Sequence, residues 1–394
     1  MLVLSKHIVG IIAEYNPFHN GHLYHIEKVK EMFPNSPIIL VLGGNFTERG
    51  DVSILDKWEK TDIAIKCGID LVVELPFPFS CASADIFAKG SIDILNYLGV
   101  TDLVFGSESD DIEGIKKLVE TELSNPDFDN LVQVYLRMGY NYPTSLSKAL
   151  EDITGDCFKL PNDILGISYV KAIYSNNYKI NPHTIKRTND YHSKELNNMS
   201  IRSISSATSI REALLNNKDI KNSVPSITYD YLKNKKIPKL DDYFNLLKYK
   251  IISCNDLTIY NLVDSGIATK LKKEILNSYS FDELINKVKS KNLTYSRLSR
   301  TLIYILCDYT KDMAKEFNEV MYIRLLGFSN KGRDYLNKIK KDIDVPIISK
   351  FTREKDKMLE YEYKITKIYS LAFDKEKSKS LIEAYYKMKP IREE

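Results

Sequence analysis

Residues 8–25 read IVGIIAEYNPFHNGHLYH, and the fold class turns on this stretch. The apolar run Ile8 to Ile12, bounded by turn residues, has the character of a strand buried inside a parallel sheet. Tyr15-Asn16-Pro17-Phe18 follows, where Pro17 removes a backbone donor and fixes φ. His19-Asn20-Gly21-His22 then leads into a helix predicted over Leu23 to Met32. The unit is strand, tight loop and helix N-terminus, with two imidazoles at the junction. Unpaired N–H groups and the positive end of the helix dipole attract phosphate there. Gly21 lets a flat ligand lie against the backbone. His19 and His22, three apart, share a helix face and can donate to charge gathering in a transition state. Two other readings stay open. The histidines could ligate zinc, although Gly21 lies between them and neither His25, one turn on, nor Glu14, before the loop, makes a convincing third ligand, or the segment could be a capping turn with incidental imidazoles.

The following residues repeat the strand-then-helix pattern. Pro37 to Leu42 is a second candidate strand, ending in the glycine-bearing segment Gly43 to Asp51, where Arg49 is a candidate phosphate clamp. A helix is predicted from near Leu55, placing Lys57 in its first turn as a second phosphate candidate and Trp58 as a core residue. Asp70 to Leu75 and Asp102 to Phe105 are third and fourth strands, with a helical segment, Ala82 to Leu98, between them. Four such alternations predict an open parallel α/β sheet. Ligands then sit beyond the strand C-termini, where Ala13–Gly21, Gly43–Asp51, Pro76–Ser80 and Gly106–Ser109 converge. Helices are predicted over Ile112 to Thr154, with breaks near Pro126 and Pro143, and over Ile164 to Ser175, where Asn162 stands at the N-cap position. Tyr178 to Lys186 suits a further strand. Ser205 to Arg211, SSATSIR, is a helix-start signal.

From Ile220 the apolar spacing turns helical, in Tyr243 to Ile252, Phe281 to Lys287, Ser296 to Asp308 and Met358 to Phe373. This divides the chain into a Rossmann-like α/β domain, 1–218, and a mainly α-helical domain, 219–394. Lysine and arginine cluster in the second part, for example Lys233/Lys235/Lys236/Lys239 and Arg297/Arg300, with Tyr295, Tyr304 and Tyr322 nearby. Such a mixture suits RNA, though it equally suits a solvated helical surface. The formal net charge of +3 gives no global pull on nucleic acid, so any RNA contact must be local. The five cysteines, Cys67, Cys81, Cys157, Cys254 and Cys307, form no CxxC pair, which argues against a zinc ribbon or a disulfide scaffold. The apolar run near the N-terminus is too short for a signal peptide, and no segment is long enough to span a bilayer. A cytoplasmic protein is expected.

The string Glu14-Tyr15-Asn16-Pro17-Phe18-His19-Asn20-Gly21-His22 resembles that of the bacterial tRNA(Met) cytidine acetate ligase family, within the nucleotidyltransferases that share the HxGH signature. Tyr295-Ser296-Arg297 and Arg324-Leu325-Leu326-Gly327-Phe328 extend the resemblance. It implies an enzyme that joins acetate to ATP as acetyl-adenylate and passes the acetyl group to N4 of the wobble cytidine of elongator tRNA(Met). By the match, Ile12, Ala13, Glu14, Tyr15, Asn16, Pro17, Phe18, His19, Asn20, Gly21, His22, Leu23, Tyr24 and His25 form the ATP loop. Gly106, Asn162, Arg187 and Thr188 would also contact the nucleotide. His19, His22 and Lys57 are the catalytic candidates. No protein metal ligands are assigned; Mg²⁺ is expected to enter with ATP, held mainly by phosphate. A nucleotidyltransferase for a small metabolite, and a non-catalytic RNA-binding protein on the same fold, remain the alternatives.

Overall fold

A computed structural model describes residues 6–155, 160–187, 203–290, 293–352 and 356–393. Its first half alternates as expected. Strands β1 (Val9–Ala13), β2 (Ile38–Gly43), β3 (Leu71–Leu75), β4 (Asp102–Ser107) and β5 (Asn181–Lys186) are joined by helices α1 (Asn20–Met32), α2 (Lys57–Lys66), α3 (Phe77–Ser80), α4 (Ala84–Tyr97), α5 (Ile112–Ser124), α6 (Phe128–Arg137), α7 (Tyr142–Thr154) and α8 (Pro161–Ser175). Helices α9 (Ala207–Leu215), α10 (Ser226–Leu232), α11 (Phe244–Ser253), α12 (Ser265–Glu274), α13 (Phe281–Val288), α14 (Tyr295–Cys307) and α15 (Lys311–Glu316) follow. The chain then forms β6 (Ile323–Phe328), α16 (Asn330–Ile339), β7 (Ile347–Ile348), α17 (Lys357–Ser370), α18 (Lys375–Lys387) and β8 (Ile391–Arg392).

The strands lie in the order β5-β4-β1-β2-β3-β6-β7, with β8 also on β6. From β5 to β3 the pairing is parallel throughout. The chain runs outward from β1 through β2 and β3, then crosses back to β4 and β5. The order therefore reverses between β1 and β4, and the crevice beyond their C-terminal ends is the place where such sheets bind ligands.

Successive residues point to opposite faces, so each strand feeds two cores. Ile39, Val41, Leu71 and Val73 join α4, α5, α8 and the helices α11 to α14 and α17 in one continuous core. Val9, Ile11, Leu40, Leu42 and Val72 pack on the other face with residues of α1, α2, α9 and α10.

Beyond residue 220 the helical expectation fails at one important place. Ile323–Phe328 is a strand, antiparallel to β3. A short apolar run has the same composition whether it fills a buried strand or one side of a buried helix, and periodicity does not separate the two. Gly327 permits the fit: a Cβ there would lie 2.6 Å from Thr61 Cγ2 on α2.

Candidate active site

The loop after β1 is built around its two histidines. His19 is the N-cap of α1, with Nδ1 accepting the Gly21 N–H at 3.1 Å. His22 Nδ1 accepts the His19 N–H at 3.2 Å, completing a reciprocal capping box. The rings stack with centroids 3.7 Å apart. Because each Nδ1 is an acceptor, each neutral ring carries its proton on Nε2. Burial holds both rings neutral. The His19 pKa is lowered to about 3, first by desolvation and then by Arg187 and Arg211. His22 is lowered for the same first reason, with His19, Arg187 and His25 adding to it. His25 falls to about 4, through burial and Arg187. The capping-turn reading is thus true of the geometry, but it does not exclude a chemical role: capping occupies Nδ1 and presents Nε2–H.

The neighbouring loop residues divide between scaffold and site wall. Asn16 ties the loop to the β2–α2 connection, donating to Val52 O at 3.1 Å and accepting from Ile54 N at 2.9 Å. Asn20 is occupied too, donating to Ser203 O at 3.0 Å and Asn222 O at 2.7 Å. Phe18 is buried, its ring clustered with those of Tyr15 and His22. A Cβ on Gly21 would come 2.9 Å from the His19 ring, so only glycine leaves that ring undisturbed. Ile12, Ala13, Leu23, Tyr24 and His25 remain partly accessible. Tyr15 Oη and His25 Nε2 are buried without a partner among the described residues, unusual for polar atoms and expected where a ligand completes the bonding.

Across the sheet reversal, Arg187 lies over Gly106, where a Cβ would meet Arg187 Cγ at 3.3 Å. Arg187 Nη1 reaches Asn162 Oδ1 at 3.4 Å. Asn162 is not the N-cap of α8; that residue is Leu160. The Glu108 carboxylate instead accepts the N–H groups of Asn162 and Asp163, both at 3.1 Å, and Asp163 Oδ1 accepts the Glu108 N–H at 3.1 Å in return. This mutual clasp fixes the β4 end to α8. Thr188 lies outside the described residues.

Lys57 is not at the imidazole pair. It is buried, with Nζ 2.7 and 2.9 Å from the two Glu74 oxygens and 4.3 Å from the Tyr385 ring centroid. As the first residue of α2 it reaches into the core beside β3. Lys60, a turn later, holds the loops: its Nζ donates to the carbonyls of Glu14 at 3.0 Å, Gly43 at 2.6 Å and Gly44 at 3.0 Å. Burial lowers its pKa to about 8 against the pull of Glu14, Asp56 and Glu74. Arg49 is exposed at the rim. Arg300 also departs from expectation. It is buried rather than RNA-facing, and bonds Glu48 O at 2.8 Å. Arg211, which the sequence offers only at the end of the helix-start string, lies at the loop: its Nη1 donates to Asn16 O at 2.7 Å and Nη2 stands 3.5 Å from Asp51 Oδ2. Ser206 caps α9 ahead of it, and Ile204 meets the histidine loop: a Cβ on Gly21 would lie 3.1 Å from Ile204 Cγ2.

Residues 6–383 match the model of the family described as HIGH Nucleotidyl Transferase. A tRNA(Met) cytidine acetate ligase of Caldicellulosiruptor saccharolyticus is 37% identical over 97% of this chain and 98% of its own. One from Clostridium perfringens is 39% identical over 92% and 94%. The chain belongs to this family of tRNA(Met) cytidine acetate ligases. Among solved structures, Thermotoga maritima TmcAL without ligand superposes with a TM-score of 0.90 at 28% identity, covering 98% of this chain and 99% of that one. The same family member bound to alpha-thio ATP gives 0.87. No described helix is long and apolar enough to cross a membrane.

Proposed function

We propose that this chain couples ATP and acetate to acetyl-adenylate and pyrophosphate, then acetylates N4 of the wobble cytidine of elongator tRNA(Met) in the cytoplasm. The observation that carries the reading is the pair of neutral imidazoles whose Nε2–H groups are left for a ligand at the sheet reversal, with Arg187 close enough to act on both rings and Arg211 on His19. The relatives' names and the ATP-analogue complex of a structural neighbour point the same way.

In this reading, Gly21 and the start of α1 admit the triphosphate to the backbone. His19 and His22 donate from Nε2 to phosphate oxygens as pyrophosphate departs. Arg187 and Arg211 add fixed positive charge, and Gly106 with Asn162 borders the nucleoside. Positioning and charge stabilisation suffice for this displacement without a protein nucleophile. Mg²⁺ would be held chiefly by phosphate, because no group of three or more His, Cys, Asp or Glu suited to a metal occurs among the described residues. Residues 1–218 would then carry the chemistry and 219–394 most of the tRNA contact. Tyr249 and Tyr279 support the second role: they are 72% and 79% exposed, and Lys248 Nζ lies 4.8 Å from the Tyr279 ring centroid. Such rings offer stacking faces to unpaired bases.

The test is nucleoside mass analysis of elongator tRNA(Met) after incubation with the chain, ATP and isotope-labelled acetate. Labelled N4-acetylcytidine is expected. Pyrophosphate release that needs neither acetate nor tRNA would assign the chain to another nucleotidyltransferase reaction.

A further inference from the structure

We propose that Glu108 sets the choice of nucleotide base: it locks the Asn162 side-chain amide in the one orientation that pairs with adenine and opposes a 6-oxopurine. This rests on the ATP-site reading above and gives a positioning role to a residue that acts through Asn162. The side chains involved come from three chain segments gathered at the sheet reversal. Glu108 follows β4, Arg187 follows β5, and Asn162 is the second residue of α8. Arg187 is seated by its own N–H on Ser107 O at 2.9 Å, and its side chain lies over Gly106. Its charge reaches His19, His22 and His25 alike. Asn162 therefore stands in the same crevice as the imidazole pair, one arginine away. Arg187 Nε is buried without a partner among the described residues, as expected where a ligand completes the wall.

The amide of Asn162 is held from both ends by partners of opposite kind. Its Oδ1 accepts from Arg187 Nη1 at 3.4 Å, and its Nδ2 donates to Glu108 Oε1. A guanidinium only donates and a carboxylate only accepts, so the oxygen and nitrogen ends cannot exchange places. Glu108 is itself fixed. Its carboxylate also accepts the N–H groups of Asn162 and Asp163, both at 3.1 Å, while Asp163 Oδ1 accepts the Glu108 N–H at 3.1 Å and the Ser107 hydroxyl at 2.5 Å. A side-chain amide has two N–H groups and two oxygen lone pairs. One of each is spent, which leaves one donor and one acceptor whose places are set. Adenine carries the matching set, an N6 amine beside ring-nitrogen acceptors, and asparagine pairs with it in this way. A 6-oxopurine puts a carbonyl where the amine stood, so that oxygen meets oxygen.

Glu108→Gln fills the same space, but its amide can donate as well as accept, which frees Asn162 to turn. Equilibrium binding of ATP and of inosine triphosphate, which has O6 in place of the amine, is measured on the full chain. The unaltered chain should prefer ATP. The variant should lose about 10-fold of that preference, through weaker ATP binding while inosine triphosphate binding holds or improves. A merely structural role would weaken both nucleotides alike. A preference that survives the substitution, or an equal decline of both nucleotides, overturns the assignment. If the unaltered chain binds both equally well, the ATP-site reading stands and the role of Glu108 falls. If it binds neither, the ATP-site reading fails first and this proposal with it.

Discussion

Replacing His22 with alanine separates the capping contact of this ring from the catalytic role proposed for it. Its Nδ1 accepts the His19 N–H at 3.2 Å, so removal leaves one capping donor unpaired. That contact is worth about 1 kcal/mol to the start of a helix, and a chain of this size would lose only a few degrees of melting temperature. The proposed role would fall to Nε2–H. Deleting one donor aimed at developing transition-state charge costs roughly 100- to 1000-fold in rate, or about 3–4 kcal/mol of activation free energy. Acetate-dependent ATP–pyrophosphate exchange at saturating ATP reads the second term, and a thermal melt reads the first. Exchange should fall by those two to three decades, acetylation of tRNA should vanish with it, and the fold should survive. An exchange rate within threefold of the unaltered chain would refute the reasoning and return both rings to a capping role. So would a large loss of thermal stability that accounts for the lost activity.

Acid should weaken the fold through the same rings. Burial lowers the His19 pKa from the ordinary 6.5 to about 3, so the unfolded chain takes up a proton that the folded chain refuses. Stability is complete above about pH 6.5 and declines below it, by about 2 kcal/mol at pH 5 from His19 alone; denaturant melts at pH 7.5 and 5 check this, and a midpoint that rises on acidification would contradict it. Arg300→Ala should destabilise the chain by about 1–3 kcal/mol, because it removes the hydrogen bond to the Glu48 carbonyl and the ion pair to a carboxylate that stays partly exposed. A normal melt combined with a reduced salt slope of tRNA binding would show the arginine facing RNA after all. Lys57→Met should cost about 3–5 kcal/mol by orphaning the buried Glu74. Adding Glu74→Leu should recover much of that loss, and a double variant less stable than the single one would contradict the isolated-pair picture. Gly50→Ala should destabilise by well over about 1 kcal/mol, since φ is +75° and the new Cβ would lie 2.4 Å from Arg300 N; chemical denaturation measures it.

The strand–helix alternation was legible because parallel strands buried on both faces read as unbroken apolar runs, as in Ile38–Gly43. The histidine pair was legible for a local reason: a capping box is written in four consecutive residues. Lys57 was misread because a lysine in a first helical turn has the same sequence signature whether it meets phosphate or a buried carboxylate. Its partner Glu74 sits in a different element, and only tertiary packing joins them. Arg300 was misread for the converse reason, since α14 docks on the turn at Gly50 and hides a side chain whose spacing suits an exposed face. The convergence of 13–21 with 43–51 was legible from the strand pattern, but the Glu14 carboxylate accepting the Glu48 N–H there is a tertiary contact that no local pattern encodes.

The antiparallel strand Ile323–Phe328 covers the flank of β3, and that has a consequence for how the molecule is made. A ribosome delivers β3 long before the partner that hydrogen-bonds it. During that interval the nascent chain carries a bare β edge, the kind of surface that recruits foreign strands. Biosynthesis of this protein should therefore depend on holding that edge apart from its neighbours until the final third emerges.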